Sequence, residues 1–112
     1  DEGVVAEKAW VSLPEIQLGL PTPIGAAIIQ RRAQHVSVQA LLQRAERLDA
    51  ARCLEQGLAD AVVPGEDLMP VTLARAKLLA GFDTHVYAIN KRWLNRGLAE
   101  TLASAAAAAN TV

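Results

Sequence analysis

The 112 residues contain one cysteine, which by itself excludes an internal disulfide and any cysteine-based zinc site. Cys53 falls on a predicted helix with no histidine beside it to activate the thiol, so its expected role is packing. Charge of one sign is also lacking: eleven Lys and Arg against twelve Asp and Glu leave a net charge of −1. That balance gives no reason to expect a nucleic-acid groove or an anionic membrane as partner. No apolar run approaches the roughly 20 residues of a membrane span, and the N-terminus lacks the basic and apolar regions of a signal peptide. The expected localisation is cytoplasmic. No Walker loop, G-x-G-x-x-G, H-E-x-x-H or G-x-S-x-G occurs, and His35 and His85 lie far apart among polar neighbours. Both histidines are expected at the surface, and no metal site is expected.

What is present is a chain 52% apolar and 21% charged, the balance of one ordinary domain able to bury a core. Its most informative stretch is Leu13-Pro14-Glu15-Ile16-Gln17-Leu18-Gly19-Leu20, because Glu15 is the only charged residue between Lys8 and Arg31. A carboxylate desolvated by apolar neighbours has its charged form disfavoured and its proton affinity raised, which makes a glutamate useful as a general acid or base. The local pattern leaves a plainer alternative open: a solvent-facing glutamate beside a proline that ends a strand.

In chain order, Asp1 to Ala6 reads as a short buried strand and Ala9 to Ser12 as a second β-like run, with Glu7-Lys8 as the turn between them. A chain that opens on a strand and then becomes almost wholly helical has few strands for a sheet, which suggests an incomplete unit. Pro14 stops the second run, and Gly19-Leu20-Pro21-Thr22-Pro23 reads as a stiff loop. A first helix is predicted from about Ile24 to Arg32. Gly25, Ala26 and Ala27 leave its first turn almost bare, which suits either a ligand approaching the free N–H groups or close packing against a neighbouring element.

Ser37 is predicted to cap a second helix with Val38, Leu41, Leu42 and Ala45 inward and Gln39, Gln43 and Arg44 outward. Asp49 is predicted to cap a third, which ends at Gly57 and leads into an extended Leu58 to Pro64. Gly65-Glu66-Asp67 opens a fourth helix that ends by Gly81 and tolerates Pro70 only in its first turn. Asp83 or Thr84 is predicted to cap one last helix whose Val86, Ile89, Trp93, Leu94, Leu98 and Leu102 form an apolar stripe for core or subunit contact. Its Lys91, Arg92 and Arg96 suit either a solvated basic face or a phosphate. Ala105 to Ala109 favour helix by propensity but are expected to fray for want of packing.

Three segments carry a resemblance to a known family. Asp1 to Leu20, with Ala9, Leu13-Pro14-Glu15-Ile16 and Leu18-Gly19, resembles a strand followed by an A-x-F run and P-E-I/V-x-L-G. Ala40-Leu41-Leu42, Glu46-Arg47-Leu48-Asp49-Ala50 and Gly57-Leu58-Ala59-Asp60-Ala61-Val62-Val63-Pro64 resemble the pattern LLLTGERLDAAEALRLGLVDRVVP. Lys91-Arg92-Trp93-Leu94-Asn95 is similar to the lysine-containing helix that follows. The pattern is that of the enoyl-CoA hydratase/isomerase (crotonase) superfamily, and it spans most of the chain in the right order.

The resemblance implies an α/β, predominantly helical fold: the C-terminal part of a crotonase-like ββα spiral, in residues 1–64, plus the start of its helical oligomerisation region, in residues 65–112. It implies homo-oligomers, as trimers or pairs of trimers, and acyl-CoA thioesters of the kind met in fatty acid metabolism as substrates. The expected chemistry runs through an enolate-like intermediate whose thioester oxygen is held by two backbone N–H groups. Glu15 matches the glutamate that moves a proton at the acyl chain. Pro14, Leu18, Gly19, Leu20, Pro23 and Gly25 are expected around the substrate, with the loop Gly19 to Gly25 shaping the acyl pocket and Lys91 meeting the CoA phosphates. Coenzyme A arrives with the substrate, so no separate cofactor is expected.

The sequence departs from the pattern at Ala26, which replaces the second glycine of a G-G pair, and at Ala45, which replaces the glycine of T-G. The oxyanion-hole donors and the hydratases' first glutamate are expected upstream of Asp1. The rival expectation is a non-catalytic crotonase-like module that binds acyl-CoA or drives oligomerisation. Which acyl-CoA and which reaction are left open, since hydration, isomerisation, decarboxylation and thioester hydrolysis all occur on this scaffold.

Overall fold

The computed structural model describes residues 2–110; Asp1, placed by the sequence in the first strand, lies outside them, as do Thr111 and Val112 at the end of the second region. Valine-rich segments at two distant points in the chain meet first. β1 (Val4–Ala6) pairs in parallel with β4 (Ala61–Val63), in the register Val4 to Ala61, Val5 to Val62 and Ala6 to Val63. The ladder is continued at either end by Asp60 N–H to the Gly3 carbonyl and Glu7 N–H to the Val63 carbonyl, both 2.8 Å. Parallel strands require a long crossover, and here the helices in between supply it. A second, antiparallel pair joins β2 (Trp10–Val11) to β3 (Leu48–Asp49), with Trp10 opposite Asp49 and Val11 opposite Leu48.

Within the crossover lie a 3₁₀ turn at Pro14–Leu18, then α1 (Pro23–Ile29), α2 (His35–Arg44) and α3 (Ala50–Glu55). After β4 come a short 3₁₀ turn at Gly65–Asp67, α4 (Leu68–Ala80), α5 (Thr84–Leu94) and α6 (Leu98–Ala109). The core sits where α2, β3 and α3 converge: Leu41, Leu48, Cys53 and Ala59 are buried, with Val5, Val11, Leu13, Ile29, Leu42 and Leu58 packed on them. Full burial of a leucine side chain stabilises by about 2 kcal/mol. Cys53 is the expected packed thiol. Burial raises its pKa, the Asp49 carboxylate adds to the rise and the Arg52 guanidinium opposes it.

Local chemistry accounts for several boundaries. Asp49 Oδ1 accepts from Arg52 N–H and Asp83 Oδ1 from Val86 N–H, both at 2.9 Å, so each aspartate satisfies a donor that the helix start leaves open. Pro70 occupies the first turn of α4, where its missing N–H removes no helix bond.

Other expectations are corrected. Ser37 does not cap α2: the Gln34 carbonyl already accepts from Ser37 and Val38 N–H at 3.0 and 3.2 Å, so the helix closes earlier and Ser37 is buried inside it. The first helix begins at Pro23, whose fixed φ suits a helix start, and stops at Ile29; Arg31 and Arg32 lie in the turn that follows. The predicted single last helix is two, because Gly97 adopts φ 80° between α5 and α6. The apolar stripe is thereby split: Trp93 and Leu94 on α5 are 66% and 71% exposed, whereas Leu98 and Leu102 on α6 are half-buried. The alanine tail does not fray. α6 packs along α1, with Ala105 of one and Ala27 of the other buried, because side chains this small let two helix backbones approach closely.

Candidate functional site

Glu15 stands on a platform built by its neighbours. Pro14 opens the 3₁₀ turn and holds Leu13 extended, at φ −128° and ψ 89°. Gly19 closes it at φ 70° and ψ 22°, a left-handed conformation that favours glycine. Gly19 N–H donates to the Ile16 carbonyl at 3.2 Å and Leu20 N–H to the Glu15 carbonyl at 3.0 Å. The turn rests on α2. The sequence reading leaves this segment without a helix of any kind, since five residues between a proline and a glycine carry no apolar periodicity.

The Glu15 side chain is half-buried, and its Oε2 is shut off from solvent without a hydrogen-bond partner among the described residues. Ser37 Oγ and Gln56 Oε1 share that condition, but they belong to neutral groups, whose desolvation costs less than that of a carboxylate. Around Glu15 the surface is apolar and open, with Ile16, Leu18 and Leu20 all exposed. Gly19 and Leu20 line a groove of about 380 Å³ with Ile16, Thr22 and Leu42. Pro23 lines an adjoining groove that shares Pro21, Thr22, Leu42 and Gln43 with it.

At Gly25 a Cβ would sit 2.9 Å from Thr22 Cγ2 and 3.9 Å from Leu13 Cδ1, so a side chain there would press on the loop before the helix. Lys91 stands apart from the Glu15 platform. It lines a groove of about 760 Å³ with Arg31, Arg32, Tyr87 and Asn90, and belongs to neither groove beside the turn. The structure therefore brings Pro14, Glu15, Leu18, Gly19 and Leu20 together, sets Pro23 beside them and places Lys91 in a second location.

Two contacts had no sequence signal. Arg31 Nη2 donates to the Leu94 carbonyl at 2.8 Å and to the Arg96 carbonyl at 3.3 Å. Asp60 Oδ2 accepts from Gly3 N–H at 2.7 Å and Arg32 Nη2 at 2.8 Å, and these two bonds, the backbone one foremost, lower the Asp60 pKa. Partners so far apart in sequence leave no spacing to read. Among the described residues no group of three or more His, Cys, Asp or Glu could hold a metal ion, and no helix is long and apolar enough to cross a membrane.

The model of the family Enoyl-CoA hydratase/isomerase matches residues 1–112. The chain belongs to that family. This enoyl-CoA hydratase/isomerase family chain is 26% identical over 96 residues to a carboxymethylproline synthase of Pectobacterium carotovorum subsp. carotovorum, a match covering 86% of the chain and 38% of the relative. A probable enoyl-CoA hydratase of Mycobacterium tuberculosis H37Rv superposes with a TM-score of 0.88 at 19% identity, over 94% of this chain and 45% of that one, a likeness of fold. A methylmalonyl-CoA decarboxylase in complex with 2-nitronate-propionyl-CoA gives a TM-score of 0.78 at 27% identity, over 84% of this chain and 36% of that one. The family chain thus has the crotonase fold over most of its length, as the sequence led one to expect, and spans less than half of each of these relatives.

Proposed function

We propose that the protein containing these residues is an acyl-CoA-processing enzyme of the enoyl-CoA hydratase/isomerase type, in which Glu15 moves a proton at the acyl chain through an enolate-like thioester intermediate. The observation that carries this reading is the unpartnered, solvent-shielded Glu15 Oε2 on a backbone-locked turn among exposed apolar side chains. A carboxylate oxygen already bonded to a donor is committed to it, whereas one without a fixed partner can exchange a proton with a substrate carbon. The apolar flank of Ile16, Leu18 and Leu20 suits an acyl chain, and the acyl-CoA analogue held by the related decarboxylase supports a CoA thioester as ligand.

In this reading Pro14, Leu18, Gly19, Leu20, Pro23 and Gly25 surround the acyl group, the loop Gly19 to Gly25 shapes its pocket and Lys91 meets the CoA phosphates. Coenzyme A comes with the substrate, and no further cofactor is called for. Residues 1–64 supply the acid/base side, and residues 65–112 supply helices for a cytoplasmic homotrimer or hexamer working in fatty acid metabolism. The test is mass spectrometry of a short enoyl-CoA after incubation with the full-length protein in deuterium oxide. Deuterium on the acyl carbons is the expected result, and none above the protein-free control overturns the reading.

A second reading has its own observation. Met69, Leu73 and Leu78 on α4 and Val86, Ile89, Trp93 and Leu94 on α5 are all exposed, which suits a module kept for assembly or acyl-CoA binding without catalysis. Acyl-CoA binding with no deuterium exchange would select it.

A further inference from the structure

We propose that Arg31 is a positioning residue for coenzyme A: by capping the end of α5 it fixes the helical turn that presents Lys91 to the CoA phosphates. The proposal rests on the reading of Lys91 given above. It starts from two bonds made by one nitrogen, Arg31 Nη2 to the Leu94 carbonyl at 2.8 Å and to the Arg96 carbonyl at 3.3 Å. The last carbonyls of a helix have no donor within the helix and carry its partial negative charge, so a guanidinium placed there satisfies both needs.

Lys91 precedes Leu94 by three residues, about one turn, so the two share a face of α5. Arg31, Lys91, Leu94 and Asn95 line the same groove. The Lys91 carbonyl is itself bonded, accepting from Asn95 Nδ2 at 2.9 Å, which ties the lysine's backbone to the segment that Arg31 grips. Arg31 also follows α1 and its C-cap Gln30, and the first turn of that helix lies a few residues after the Glu15 platform. One short segment thus runs from the acid/base turn to the helix that carries the phosphate-binding lysine. A lysine at position 31 would keep the charge, but its ammonium ends one bond short of the place where Nη2 meets both carbonyls.

The test is calorimetric titration of the full-length protein with coenzyme A and, separately, with pantetheine, which lacks the phosphates. Arg31→Ala is expected to weaken coenzyme A by about tenfold, a typical coupling between members of one bonded network, and to leave pantetheine unchanged. Arg31→Lys is expected to lose nearly as much. In a Lys91→Ala background, Arg31→Ala should add nothing. Wild-type affinity in Arg31→Lys, or a full loss that persists without Lys91, would mean that Arg31 meets the phosphate directly and would overturn the proposal. Equal loss for both ligands would reduce Arg31 to a general stabiliser and overturn it too. If the wild-type protein binds coenzyme A no better than pantetheine, Lys91 is not a phosphate ligand; the earlier reading of Lys91 fails and this proposal fails with it, an outcome marked by the wild type rather than by any variant.

Discussion

Gly57 lies against the Arg32 backbone so closely that a Cβ at position 57 would stand 2.6 Å from the Arg32 carbonyl oxygen. Its φ of 88° adds a second demand for glycine. Gly57→Ala therefore carries both a left-handed strain and a backbone clash and is expected to destabilise the protein by about 2–4 kcal/mol. Gly97, at φ 80° with nothing within 4 Å of its virtual Cβ, carries the strain alone, so Gly97→Ala should cost about 1–2 kcal/mol. Urea midpoints of the two variants check the difference; equal losses would mean that the Arg32 contact is not rigid.

Asp60 ties the start of β1 to the end of the crossover through Gly3 N–H and Arg32. Its pKa is lowered in the fold, so its contribution is present above the unfolded value of about 3.9 and is lost as pH falls through the lower folded value. The two side chains are 33% and 39% exposed, and solvent screening holds the pair to about 1 kcal/mol. Asp60→Asn should melt below wild type at about pH 7 and alongside it at about pH 2. A gap that stays constant between those conditions would contradict this assignment.

Ala105 is buried where α6 meets α1, and its neighbour Ala106 is exposed. Ala105→Glu places a carboxylate in that contact and should cost about 2–3 kcal/mol, while Ala106→Glu should stay within about 0.5 kcal/mol of wild type. Amide exchange along α6 reads the same event, with protection lost in the first variant and kept in the second. Protection unchanged in both would mean that α6 holds without docking on α1.

What was legible in the sequence is what is decided by residues near one another. Asp49 and Asp83 bond to an N–H three positions on, Gly57 ends α3 and Pro70 lies within the first turn of α4, so each signal and its effect share one short window. Glu15 stood out for the same reason, as a lone charge in an apolar stretch. The 3₁₀ turn beneath it did not, because its closure depends on Gly19 turning left-handed rather than on any periodicity. Gly97 is a comparable case: its neighbours continue an apolar stripe, and only its positive φ shows that the helix breaks. The docking of α6 on α1, the Arg31 cap on α5 and the Asp60 bond to Gly3 each join distant segments, and a single sequence holds no pattern that pairs them.

The central claim is that Glu15 moves the proton, and the most direct measurement is turnover of a short enoyl-CoA by the full-length enzyme beside its Glu15→Gln variant. Glutamine keeps the shape and removes the proton exchange, so turnover should fall by about 100- to 10,000-fold with substrate affinity retained. Nearly unchanged turnover in Glu15→Gln would contradict the account and remove Glu15 from the mechanism.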